Sequence, residues 1–120
     1  MADRLDDVMA ALKGYVEERD WAQFHDPKNL TMLLASEAGE LLSEYRWVST
    51  EQADAYTDDP SAKARVTSEI ADVAIALLNL CARLDIDLLP AVHAKLVVIR
   101  QNYPAEVVRG SAIRPPRGPR

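Results

Sequence analysis

Three features of the chain predict an all-α fold. Glycine is scarce, 4 of 120 residues, and aromatic residues make up only 6%, so hairpin turns and aromatic strand ladders have little to form from. Apolar residues recur at helical spacing through four long stretches. Between those stretches stand Asp-Pro pairs and acidic caps, the usual punctuation of helices. With 48% hydrophobic and 28% charged residues, the chain has enough core and surface for one globular domain, which argues against disorder.

The first helix is expected over about residues 3–20, where Leu5, Val8, Met9, Leu12, Tyr15 and Val16 fall near helical spacing. Residues 21–29 read as a connector, because Asp26-Pro27 signals a turn: the residue before proline avoids the α region. A second helix follows over about residues 28–47. Ser49-Thr50-Glu51-Gln52 has the pattern of a capping box opening a short helical piece. Asp59-Pro60 joins a capping carboxylate to a residue suited to the first helical position, and starts the longest helix, about residues 61–84. Asp85-Ile86-Asp87 breaks it. Asp87 then offers the cap of a fourth helix over about residues 88–102, closed by Pro104. Residues 1–108 are therefore expected to form the helical domain, and 109–120 a flexible basic tail rich in Pro and Gly.

Charge narrows the function. The net charge is −5, and setting aside the four arginines of the last twelve residues leaves −9 on residues 1–108. Such an acidic body argues against a nucleic-acid partner, since duplex binding neutralises phosphates with Lys and Arg. A phosphate ligand would need a cation between it and the protein. The longest apolar stretch, residues 70–82, contains Asp72 and Asn79 and is too short to span a bilayer. The opening MADRLDD has neither the basic start nor the apolar run of a signal peptide. The single Cys81 excludes an internal disulfide and reads as a buried core residue, which suits a reducing, cytoplasmic setting.

The chemistry lies in acids placed where apolar residues belong. On a helical wheel, Leu30, Leu34, Leu41 and Tyr45 form one stripe of the second helix; Glu37 falls inside it and Glu40 at its edge. In the third helix Val66, Ile70, Val73 and Leu77 form the main stripe, with Glu69 and Asp72 beside it. Each pair is three residues apart and projects from one side of its helix. Ala76, between Asp72 and Asn79 on one face, is expected to leave space above the carboxylate. Buried carboxylates are costly unless paired or bound to metal, and four converging ones call for a cation. An all-oxygen ligand set suits Mg²⁺ or Mn²⁺. A di-iron carboxylate bundle is disfavoured by the absence of a Glu-x-x-His pair.

The string Glu37-Ala38-Gly39-Glu40, 28 further residues, then Glu69-Ile70-Ala71-Asp72 resembles the ExxE and ExxD motifs of the MazG-like, all-α nucleoside triphosphate pyrophosphohydrolases. ERDWAQFHDPKNL, residues 18–30, and EAGELLSEYRW, residues 37–47, resemble the dCTP pyrophosphatase branch. Residues 87–104, with Lys95 and Tyr103-Pro104, are similar to the family's last helix. The resemblance implies a helical bundle that cleaves between the α and β phosphates of a nucleoside triphosphate. It implies Glu37, Glu40, Glu69 and Asp72 as Mg²⁺ ligands, and Trp21 and Trp47 as walls of a base pocket. It places His25 and Lys28 near base or phosphate, Lys95 and Arg100 near phosphate, and the chain in a homodimer or homotetramer.

The chain departs from that pattern in places. Ile99 stands where the family usually has Asn, Leu12 where vertebrate-type dCTP enzymes have His, and Ala76 where they have Tyr. The losses of polar groups at Leu12 and Ile99 predict a smaller preference for dCTP over dTTP, dUTP or CTP than in the vertebrate-type enzymes. They also leave open a second reading, a non-catalytic nucleotide-binding or structural helical oligomer.

Overall fold

The computed structural model describes residues 4–113, all of whose regular structure is helical. Five α-helices follow in order: α1 (Leu5–Glu18), α2 (Pro27–Tyr45), α3 (Pro60–Leu84), α4 (Leu88–Asn102) and the short α5 (Ala105–Val108). Single 3₁₀ turns occur at Ala22–Phe24, Thr50–Gln52 and Tyr56–Asp58. The chain divides after Asp85 into two compact units, the first holding α1 to α3 and the second α4 and α5. The basic tail expected over 109–120 lies outside the described residues from 114 onward. Among the described residues, no helix is long and apolar enough to cross a membrane.

Helix starts follow local chemistry. The Asp26 carboxylate accepts from the Asn29 amide at 2.9 Å, and that of Asp59 from the Ala62 amide at 3.2 Å, so α2 and α3 each open on a capped Asp with Pro at the first position. Helix α2 therefore begins at Pro27, one residue before the expected start. The capping box expected at Ser49 does not form: its side chain makes no cap hydrogen bond, and a single 3₁₀ turn results. Asp87 likewise caps α4 without a side-chain bond. Asp85 ends α3 in the left-handed region at φ 54°, which Asp tolerates better than most side chains.

In the first unit, α3 packs chiefly along α2, with α1 on another side. Leu30 and Ala76, each 1% exposed, lie in this core with Ala62, Val66, Leu78, Cys81 and Val16. Two expectations about α3 are corrected here. Ile70 is 53% exposed, so the buried part of α3 is made by Ala62, Val66, Ala76, Leu78 and Cys81 and not by Ile70. The space expected beside Ala76 is closed by packing. Leu30 is the largest fully buried side chain, and Leu30→Ala is expected to destabilise the protein by about 2–5 kcal/mol, through lost transfer energy and an unfilled cavity. Denaturant unfolding followed by circular dichroism measures that loss.

Candidate functional site

Two helices build the acidic centre. Glu37 and Glu40 leave α2 one turn apart, and Glu69 leaves α3 toward them; one carboxylate oxygen from each lies within 4.8 Å of the other two. Asp72 follows Glu69 by one turn, and its charge acts on both Glu37 and Glu69. The four predicted acids thus form one electrostatic cluster, with three of them at ligand spacing. Its setting differs from the expected core slot. Glu37, Glu69 and Asp72 are half-buried and Glu40 is exposed, so the acids stand at the mouth of the α2–α3 seam, open to a ligand.

Partial burial pushes the Glu37 carboxyl above the ordinary glutamate range, and the charges of Asp72 and Glu40 push it further. For Glu69, loss of solvation is again the largest cause, followed by Glu40, Asp72, Glu37 and Glu44. Oε2 of Glu69 is buried with no hydrogen-bond partner among the described residues. A buried carboxylate oxygen without a donor, facing two other carboxylates, is satisfied by a cation. The donor set is oxygen only, which fits a hard divalent ion.

A clamp that the sequence did not reveal holds the two helices just beyond the acids. Glu44 Oε1 accepts from Arg65 Nε at 3.1 Å and from the Tyr56 hydroxyl at 3.2 Å; Arg65 also donates to that hydroxyl at 3.3 Å and to Ser61 Oγ at 2.9 Å. Tyr45 meets Tyr56 edge-on at 5.2 Å. The spacing was present all along: Glu44 lies one turn after Glu40, and Arg65 one turn before Glu69.

The other candidate residues are spread more widely. Trp47, just past the end of α2, is 88% exposed, with the Arg46 guanidinium 5.9 Å from its ring centre. Trp21 is exposed in the connector, edge-on to Tyr15 at 5.8 Å. His25 is half-buried and lines a cavity of about 300 Å³ between α1 and α3, whereas Lys28 lies exposed on the first turn of α2. Lys95 and Arg100 are exposed on α4, in the second unit.

No family model matches the chain. Individual proteins do. It is 38% identical over 110 residues to dCTP pyrophosphatase 1 of Rattus norvegicus, and 36% identical over 108 residues to dCTP pyrophosphatase 1 of Homo sapiens. The alignments take in 92% and 90% of this chain, but the chain spans only 65% and 64% of those relatives' length. Among solved structures, a pyrophosphatase from Archaeoglobus fulgidus superposes with a TM-score of 0.77 at 30% identity, covering 87% of this chain and 95% of that one.

The raised carboxyls predict a pH effect with a definite sign. Glu37 and Glu69 bind protons more tightly folded than unfolded, so their contribution to stability is full below the ordinary value of 4.5 and is lost as pH rises through the shifted values. Without metal, Glu69→Gln is expected to melt above the parent protein at pH 7, the gap closing as pH falls toward 4.5. Thermal unfolding in chelator across that pH range checks it.

Proposed function

Because the chain belongs to the MazG-like, all-α family of nucleoside triphosphate pyrophosphohydrolases, we propose that it hydrolyses dCTP or related pyrimidine nucleoside triphosphates to the monophosphate and pyrophosphate. The observation that carries this reading is the Glu37, Glu40 and Glu69 cluster with its unpartnered Glu69 oxygen. Glu37, Glu40, Glu69 and Asp72 are the residues proposed to hold Mg²⁺, with Mn²⁺ as a substitute. Such an ion supplies charge neutralisation between an acidic protein and an anionic substrate, and polarises the α-phosphoryl group.

In the proposed reaction a water oxygen bonds to the α-phosphorus and the bridging α–β oxygen leaves with pyrophosphate. The water's proton passes to a carboxylate of the cluster or to solvent. Trp21 and Trp47 are proposed as stacking surfaces for the base, worth on the order of 1–3 kcal/mol each. His25 and Lys28 supply polar contacts beside them, and Lys95 and Arg100 the cations for phosphate. The product chemistry suits removal of unwanted nucleotides from the precursor pool.

A homodimer or homotetramer belongs to the same proposal. It is supported by apolar side chains left in solvent on α3, Ile70 at 53% and Ile75 at 41% exposed, which a second copy would cover. The free Cys81 thiol supports a reducing, cytoplasmic setting.

Two measurements test the reading. Glu37→Gln is expected to remove Mg²⁺-dependent turnover while leaving the helical circular dichroism spectrum intact; full activity in this variant, or in excess EDTA, would overturn the metal assignment. Exhaustive digestion of dCTP is expected to give dCMP and pyrophosphate by chromatography. Formation of dCDP and orthophosphate would mean a different reaction class, and no turnover of any triphosphate would favour the non-catalytic reading.

A further inference from the structure

The clamp of Glu44, Arg65 and Tyr56 stands where the acidic centre needs a spacer. Glu44 lies one turn beyond Glu40 on α2, and Arg65 one turn ahead of Glu69 on α3. The two helices therefore run antiparallel along this seam, with the clamp about 6 Å from the acids. The charge of Glu44 still reaches Glu69, as the weakest of the four carboxylates acting on it. The Arg65 guanidinium uses its three nitrogens on three different segments. Nε donates to Glu44 on α2, Nη2 to the Tyr56 hydroxyl in the connecting loop, and Nη1 to Ser61 in the first turn of α3.

Exposure decides what this arrangement offers. Arg65 keeps 50% of its side-chain surface in water and Glu44 20%, so their attraction as a charge pair is largely screened. What a planar fork bonded in three directions supplies is geometry. Ala62 and Val66 are buried on the same stretch of α3, but small apolar contacts set no direction of their own. The acids need a set direction. A divalent cation holds its oxygen ligands at fixed distances, whereas carboxylates without one push apart. Toward the far end of the pair, Leu30 and Ala76 are each only 1% exposed. Nearer the acids, the clamp is the directional tie.

We propose that Arg65 is a positioning residue: by bonding to Glu44 and Tyr56 it sets the separation of α2 and α3 at which Glu37, Glu40 and Glu69 reach one divalent cation. The inference rests on the reading of these acids as cation ligands. Charge and geometry predict opposite signs here. Removing a positive group beside a cation site tightens binding if charge alone acts, whereas removing a spacer weakens it.

The test titrates Mn²⁺ into the whole chain as wild type, Arg65→Met, Arg65→Lys and Tyr56→Phe, following the free ion by its paramagnetic resonance signal. The temperature is one at which circular dichroism shows every variant folded. Arg65→Met is expected to raise the Mn²⁺ Kd about tenfold, the lower end of what losing a supporting group around a metal site costs. Arg65→Lys keeps the charge but offers one ammonium to three partners, and is expected to raise it about threefold. Tyr56→Phe changes no charge and keeps its ring against Tyr45, so its expected rise, also about threefold, reports geometry alone. Arg65→Met binding Mn²⁺ as tightly as wild type, or more tightly, would overturn the inference. So would a lower melting temperature beside an unmoved Kd in all three variants, which makes the clamp a stabilising contact only. Either result leaves the metal reading standing. Absence of Mn²⁺ binding by wild type would overturn both.

Discussion

Like charges held close together on two packed helices are the constraint on which the first unit is built. Glu37, Glu40, Glu69 and Asp72 repel one another, and the partial burial of Glu37, Glu69 and Asp72 makes the repulsion harder for water to screen. What keeps α2 and α3 together despite this lies on either side of the acids. Leu30, Ala62, Val66 and Ala76 are removed from water within the unit. The clamp of Glu44, Arg65 and Tyr56 ties the helices one turn beyond the cluster, and it neutralises the carboxylate that would otherwise have been a fifth unpaired charge. Stability is thus spent on holding a geometry that the unliganded chain disfavours, a pattern expected where a site is organised for a cation.

Much of the fold was legible because its signals are local. Asp59-Pro60 sets the start of α3 by its own chemistry, and periodicity over 25 residues survives errors at either end. The Ser49 capping box failed for a related reason: with only a 3₁₀ turn to stabilise, its side chain has no helix of sufficient length to cap. The helical wheel correctly brought the two acidic pairs toward one another, but it rotated α3 too far in placing Ile70 in the core. A wheel ranks faces by composition and cannot tell a face covered by a neighbouring helix from an apolar one left in solvent.

The acidic centre and the proposed nucleotide contacts differ in how far sequence reaches them. Carboxylate convergence depends on two three-residue spacings and one helix pairing, all readable in a single chain. The clamp depends on the side chain of Arg65 crossing from α3 to Glu44 and to a tyrosine in the loop, a three-body contact that no one-dimensional spacing encodes. The residues proposed to contact the base are harder still. Trp21 and His25 sit in a connector held by the long-range bond from Arg83 to Ala22, and Lys28 on the first turn of the helix that follows it. Loss of polar groups at Leu12 and Ile99 was visible in the sequence.

The exposure of Trp47 makes the molecule optically legible as well. With 88% of its surface in water and a guanidinium 5.9 Å from its ring centre, its indole emits as a solvated fluorophore. Trp21, edge-on to Tyr15 and less open, sits in a different environment. Two chromophores in unlike surroundings give the protein a built-in spectral contrast. An occupant that covered the more exposed ring would shift its emission toward the blue or quench it, a change readable without any added label.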